Sequence, residues 1–430
     1  MIKTNFRILI LRILLLITSL LQLRLLSDSL TLYSFSLFFL LSSFASLYSI
    51  LETGPGTFLL TRTAQVDISE RLVYFYLLSK MQIFKSLKLN SCLVPVMFLS
   101  HLVITNGTNV VGNALKNNFI ILLIIVSIAS VRSFSSFIHR FLWGSERGAQ
   151  SMFLLNICNL FTILAIFFLS RFSFQLQQTL ILVLVFLIPL TLELMYLQYY
   201  GLLSISPKFD PVLVRKIRND ITSSKYSISG GSLVAILGAI GFKLDSLIVG
   251  IFCSPNEVVN LGTVTRIFGV IVNMLDVAAK KWWVFLANNI YHSDLSQIYK
   301  YLRRAYLRVL IYGITTILTT VILFKPIAGF IIGDLATSIP LSLIVAGGCL
   351  ALLNCLAGPG AMLISAASLS HKTLLLQALS SIINVALSII LIANIGPVGS
   401  PLASSLTLLF LIPGEFVIGR RNLDIPFRGV

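Results

Sequence analysis

Long apolar runs separated by short polar stretches recur along the whole chain. A helix rising 1.5 Å per residue needs about 20 such residues to cross a hydrocarbon layer. On that ruler, spanning helices are expected at Phe6–Leu26, Leu30–Leu51, Leu87–Thr105, Phe119–Ile138, Ala149–Leu169 and Thr179–Tyr200. A second series is expected at Ser227–Phe252, Val258–Leu286, Tyr306–Phe324, Ile339–Ile364, Thr373–Ala393 and Leu402–Ile418. Strands of a membrane barrel would alternate apolar and polar residues. The run Phe119-Ile-Ile-Leu-Leu-Ile-Ile-Val has no period of two. Lipid offers no hydrogen bonds to the backbone, so only helices and closed barrels cross it. The pattern therefore predicts an all-α, polytopic membrane protein of about twelve transmembrane helices.

Composition agrees. Over 430 residues the chain is 57% hydrophobic and only 11% charged, against about 25% charged in a soluble domain. The formal net charge of +17 would suggest nucleic acid in a soluble protein. Here the basic residues lack the interleaved aromatics of a single-strand channel, and no nucleic-acid partner is expected. Their placement sets orientation instead. Alternate connections collect Arg62, Arg71, Lys80, Lys85, Arg140, Arg147, the run from Lys208 to Lys225, Arg303, Arg304, Arg420 and Arg421. The opposite side receives only Arg24, Lys116, Arg171 and Lys325. By the positive-inside rule both termini are expected in the cytoplasm. The longest break, Gly201 to Tyr226, holds five basic residues and two prolines. It divides the chain into an N-terminal six-helix lobe (1–204), a basic cytoplasmic linker (205–226) and a C-terminal six-helix lobe (227–430). Six helices plus six is an arrangement common in transporters.

Little in the sequence points to covalent chemistry. There is no P-loop, and the outward connections are short; within the longest, Lys325–Ser338, the stretch Ile-Ala-Gly-Phe-Ile-Ile-Gly is a candidate to re-enter the membrane. Cys92, Cys158, Cys253, Cys349 and Cys355 lack metal spacing, and His101, His139, His292 and His371 are scattered. No cofactor or metal is expected. The sequon Asn106-Gly107-Thr108 is short and carries little weight. The first apolar run, interrupted by Arg12 and Arg24 and without a small-residue cleavage site, reads as a retained helix.

Ionisable residues inside spans are costly and normally face a cavity or one another. Here they are Arg12, Arg132, Glu193, Lys243, Asp245, Arg266 and Asp276. Counted from the helix ends, Arg12, Arg132 and Glu193 share one depth, which permits a bridge between Glu193 and an arginine. Asp245 and Arg266 lie on neighbouring antiparallel helices, and a contact between them is expected. Asp245 shares a helical face with Gly238 and Gly241, where small residues allow close helix packing. Lys243 points about 200° away from it and is favoured for the cavity. Asp276 and Lys280, four apart, are expected to pair along their own helix, and Arg24 and Arg171 to reach the outer interface. For Arg12, Arg132, Glu193 and Lys243 both substrate contact and structural bridging stay open.

Several stretches together resemble a known family. They are Glu52-Thr-Gly-Pro-Gly56 with Arg62, Leu142-Trp-Gly-Ser-Glu-Arg147, Asp245-Ser-Leu-Ile-Val-Gly250 and Thr265-Arg266-Ile267. The fullest is Asn384-Val-Ala-Leu-Ser388 with Gly396-Pro-Val-Gly399 and Leu402-Ala403. In order and spacing they are similar to the Wzx-type flippases of the multidrug/oligosaccharidyl-lipid/polysaccharide exporter superfamily. Leu261-Gly262-Thr263 and Pro401 depart from the family pattern.

The resemblance implies two six-helix lobes around a central cavity that opens alternately to each side. It also implies an undecaprenyl-pyrophosphate-linked oligosaccharide as substrate and the bacterial inner membrane as location. Polymerase and chain-length regulator of the same pathway would be partners. Arginine and lysine pair well with phosphate oxygens, so Arg12, Arg132, Lys243 and Arg266 are the candidate substrate contacts. Asp245 and Glu193 are candidates for ion pairing or for proton coupling. Two other readings compete. An integral-membrane polysaccharide polymerase would commonly carry a sizeable, basic outward loop, which is missing here. A drug antiporter of the same superfamily would favour an acidic cavity for cations.

Overall fold

The structure, a computed structural model, describes all residues except 1, 52, 68, 86–117, 146, 173–176, 200–208, 244, 292–294, 368 and 423–430. Among the described residues there are helices and turns and no strand. The first half contains α1 (Ile2–Ser29), α2 (Leu32–Leu51), α3 (Thr53–Gln65), α4 (69–85), α5 (Phe119–Ser135), α6 (Phe137–Gly144), α7 (Gly148–Leu169) and α8 (Gln177–Tyr199). After the connecting helix α9 (Pro211–Ser223), the second half contains α10 (Lys225–Lys243), α11 (Asp245–Phe252), α12 (Pro255–Tyr291) and α13 (Leu295–Ile322). It continues with α14 (Phe324–Ile332), α15 (Leu341–Ala366), α16 (Leu374–Ile395) and α17 (Gly399–Asn422).

Seven described stretches are long and apolar enough to cross a membrane, and the last of them, Ser370–Arg421, contains both α16 and α17. Every expected span corresponds to a described helix or helix pair except Leu87–Thr105, which lies outside the described residues. Two expected connections are helical instead. The segment after Leu51 continues as α3 and α4; Pro55 is tolerated in the first turn of α3, where its missing N–H has no partner to lose. The stretch after Phe324 forms α14 and a 3-10 turn (Gly333–Ser338), with Gly333 at φ 58° ending the helix. It docks on α1 through Ser27 Oγ, which donates to the carbonyl of Ile331 at 2.6 Å.

The two halves repeat one packing scheme. In the first, α1 packs on α7, α7 on α8, α5 on α8, and α2 on α5. In the second, α10 packs on α16, α16 on α17, α15 on α17, and α12 on α15. The helices starting at Phe119 and Gln177 are answered by those starting at Leu341 and Gly399, each 222 residues later. Even a cross-helix device recurs. Asn156 Nδ2 of α7 donates to the Leu11 carbonyl of α1 at 2.8 Å, and Asn384 Nδ2 of α16 donates to the Gly241 carbonyl of α10. An amide gripping a neighbouring backbone holds two helices together where lipid offers no competing partner.

The segment expected as a basic linker carries α9. Asp210 caps it by accepting from Val212 N at 2.9 Å, with Pro211 at its first position. Arg62 Nη2 meets Asp220 Oδ1 at 2.8 Å, and Lys216 Nζ meets Glu70 Oε1 at 2.7 Å. With Ile217 buried among α4 side chains, α9 is fastened to the first lobe. This end of the bundle, rich in arginine and lysine, is called the basic end below.

The lobes meet at the basic end in two places. Leu60, Trp143 and Met152 of the first half form one buried cluster with Leu286, Leu302, Met362 and Leu363 of the second. Beside it α3 crosses α10 closely: a Cβ on Gly54 would stand 2.2 Å from Ser232 Oγ and 2.3 Å from the Ile228 carbonyl. Gly54→Leu is therefore expected to cost ~1–3 kcal/mol, the usual range for overpacking, and to lower the unfolding temperature in detergent. Gly269→Ala, where a Cβ meets nothing within 4 Å, is expected to leave that temperature unchanged.

Candidate functional site

A cavity of about 590 Å³ lies between the lobes. Its first-lobe wall is built by Ser19 and Gln22 of α1, Phe38, Phe39 and Ser42 of α2, Arg132 of α5, and Asn159 of α7. The second-lobe wall comes from Phe242, Asp245, Thr265, Arg266, Asn273 and Asn354. Hydroxyl and amide groups alternate with aromatic faces, and three ionisable side chains look in: Arg132, Arg266 and Asp245.

Arg266 is exposed to the cavity although it lies about three turns inside α12. Its guanidinium lies over the Phe38 ring, 5.4 Å from the centroid. A ring face steadies a cation without neutralising it and leaves the donor edge open. The expected contact between Asp245 and Arg266 is not formed: among the described residues no ion pair joins them. Arg266 reaches across to the other lobe, and Asp245 turns to its own. Ser404 Oγ of α17 stands 3.2 Å from Asp245 Oδ2, and Asn384 Nδ2 donates to Ser404 Oγ at 3.1 Å. The face shared by Gly238 and Gly241 packs on α16, where Cβ atoms would meet Gln377 at 3.0 Å and Ser381 at 3.1 Å. Asp245 thus ties α11 to α16 and α17 while one side of it borders the cavity.

Arg132 is held differently. Glu193 of α8, 1% exposed, has Oε1 at 3.5 Å from both Arg132 Nη2 and His139 Nε2. Ser135 Oγ donates to its other oxygen, and His139 Nδ1 lies 2.9 Å from Ser151 Oγ. The bridge between Glu193 and an arginine is thus formed with Arg132. Glu193 itself lies behind the arginine and does not line the cavity. Ser135 and His139 follow Arg132 by three and seven residues, the spacing of one helix face, so both partners could have been read from the sequence.

The other candidates divide. Arg12 does not line the cavity. It precedes Ser19, the first lining residue of α1, by seven positions or about 10 Å of rise, among residues that pack at the closed basic end. Lys243 ends α10 between Phe242 and Asp245, which both line the cavity, but its side chain lies outside the described residues. So do those of Asp276 and Lys280. Arg24 pairs with Asp28 at 2.9 Å, one turn on, and Arg171 lies over Phe167 at 4.9 Å. Among the described residues no group of three or more His, Cys, Asp or Glu is placed to hold a metal ion.

No protein-family model and no curated protein matches the chain. Solved structures do. An outward-facing multidrug resistance MATE family transporter of the MOP superfamily is 13% identical, with a TM-score of 0.71 over 97% of this chain and 96% of that one. A MOP superfamily transporter from Pyrococcus furiosus, with a binding pocket of reverse polarity, is 13% identical, with a TM-score of 0.70 over 97% and 95%. The lipid II flippase MurJ in an inward closed conformation is 14% identical, with a TM-score of 0.66 over 99% and 88%. At these identities the likeness establishes the fold, two six-helix lobes as in these structures, and leaves function to the residues of this chain.

Arg132→Gln strands an ionised Glu193 and is expected to destabilise the protein by ~3 kcal/mol, the low end for a broken buried pair because the arginine faces a cavity. Arg132→Gln combined with Glu193→Gln should recover more than half of that loss. Equal losses in the single and double variants, read by denaturant unfolding in detergent, would show that the pair is not coupled.

Proposed function

We propose that this chain is a flippase that carries undecaprenyl-pyrophosphate-linked oligosaccharide units across the bacterial inner membrane by alternating access, with both termini in the cytoplasm. The observation that carries this reading is Arg266, a guanidinium open to the inter-lobe cavity with an aromatic ring behind it and no acidic partner among the described residues. An uncompensated cation at membrane depth is costly, and it suits a site whose occupant brings the counter-charge.

Arg266 offers its free donor edge to one phosphate, and charge-assisted bonds of this kind are roughly twice as strong as neutral ones. Arg132 faces the same space with its charge shared with Glu193 at 3.5 Å, a separation long enough for a second phosphate to compete for its donors. Ser19, Gln22, Asn159, Asn273 and Asn354 supply neutral donors and acceptors of the kind that match sugar hydroxyls. Phe38, Phe39 and Phe242 supply apolar faces. Arg12, seven residues before the first lining position of α1, and Lys243, between the lining residues Phe242 and Asp245 in the chain, complete the proposed basic set. The chain does no covalent chemistry in this reading. Its work is to replace the water around a pyrophosphate with fixed donors while the lipid tail stays in the bilayer. The inter-lobe contacts at the basic end would close behind the cargo.

A drug antiporter of the same superfamily is the second reading, favoured by the likeness to multidrug transporters. The two differ in the sign of charge they need, since a cationic drug gains nothing from Arg266. In proteoliposomes holding a fluorescent short-chain polyprenyl pyrophosphate, Arg266→Ala is expected to slow translocation at least ~tenfold, the loss of one charge-assisted hydrogen bond. Arg266→Lys should recover it in part. Full activity in Arg266→Ala would remove the site, and transport of organic cations without the pyrophosphate probe would establish the antiporter instead.

A further inference from the structure

Glu193 of α8 and Glu415 of α17 are 222 residues apart, the same interval that separates the starts of the two helices at Gln177 and Gly399. They are equivalent positions of the two lobes. Both are buried, at 1% and 8% exposure, and each helix carries an interior proline nearby, Pro189 and Pro413. Their surroundings have diverged. Three groups from α5 and α6 attend Glu193: Arg132, Ser135 and His139. The residues 222 further on are Asn354, Ala357 and Ala361. The second lobe has the acid without the bases.

Among the described residues no other base replaces them. The two long helices packed on α17, α15 and α16, contain no acidic or basic residue. His371 and Lys372, in the short turn before α16, are exposed, as are Arg303, Arg304 and Arg308 of α13. Arg420 and Arg421 follow more than a turn along α17 itself. Among the described residues no cation pairs with Glu415. What stands beside it is a phenol: a Cβ on Gly360 would lie 3.0 Å from Tyr306 Oη and 3.9 Å from Glu415 Oε2. Tyr306 is in turn held edge-on to Phe416 at 6.2 Å. An ionised carboxylate is poorly tolerated in such a place, and the group takes up a proton instead.

We propose that Glu415 is a proton-binding site of the second lobe, and the group through which a proton enters the transport cycle. The first lobe neutralises its acid internally with Arg132. The second neutralises the equivalent acid from solvent, so only there does neutralisation depend on the proton supply. Gly360 leaves the room in which carboxyl and phenol share the α13–α15–α17 junction. When these helices part towards the basic end, water reaches the carboxyl and the proton leaves to solvent there; the next proton is taken up from solvent on the opposite side when the bundle opens to that side, before the site closes again.

The second clause of this proposal rests on the flippase reading, and the first does not. Infrared spectroscopy of the purified full chain, recorded across a pH series, is expected to show the carbonyl band of a buried protonated carboxyl at neutral pH. The band should be lost in Glu415→Gln, shifted in Glu415→Asp and kept in Glu193→Gln. A band unchanged in Glu415→Gln, or absent from the parent protein, overturns the site. In proteoliposomes with the polyprenyl pyrophosphate probe, an imposed pH gradient should change the transport rate of the parent and of Glu415→Asp. In Glu415→Gln the ratio of rates with and without the gradient should fall to one; a retained ratio overturns the coupling role. If the parent moves no probe at all, it is the flippase reading that fails, and the infrared band alone then decides Glu415.

Discussion

Lipid supplies neither hydrogen bonds nor counter-ions, so every charge carried into the bundle must find its answer inside the protein. That constraint organises the interior. Glu193 is answered by Arg132, His139 and Ser135. Asp245 is answered by a hydroxyl and, through it, an amide. Among the described residues Arg266 is answered by the face of Phe38 alone. The three solutions differ in how much charge they leave over, and the surplus appears where the lobes face each other. Under the proposed reading, a cavity lined by ordinary residues becomes selective because one of its charges has no acidic partner among the described residues.

The same constraint explains why the architecture is duplicated yet asymmetric. Each half repeats the order in which its helices pack, and each grips a neighbouring backbone carbonyl with a buried asparagine. These are problems of covering and joining helices, and one solution serves both halves. The ionisable residues do not repeat. Arg132 of α5 faces Asn354 of α15 across the cavity, although the two hold equivalent positions. What is copied holds the bundle together; what is unique gives the cavity its sign.

Much of this was legible in the chain. Spans announce themselves because lipid demands apolar length, and the interior charges stand out because they are expensive there. Depth along a helix is readable by counting residues, and it places Glu193 level with two arginines, Arg12 and Arg132, without choosing between them. Azimuth and inter-lobe closure are not readable that way. Asp245 and Arg266 sit at matching depth, yet one turns into its own lobe and the other crosses to Phe38. Arg12 shares a depth with Arg132 but lies where the halves press together. The helices α3 and α4 escaped notice because their mixed composition gives no apolar run of spanning length. The kinship of Glu193 and Glu415 escaped too, since it shows only once the helix starts are laid side by side.

The helix α9 has a mechanical consequence. It is riveted to the first lobe by Arg62, Lys216 and Ile217, and a single residue, Ser224, joins it to α10. The chain thus passes from the first lobe to the second through one short joint. From that pivot the 19 residues of α10 form an arm of about 28 Å, so a swing of about 10° displaces its tip by about 5 Å while the joint hardly stirs. Rotation about such a point is amplified away from it, and the seam most remote from Ser224 is the one that gapes widest.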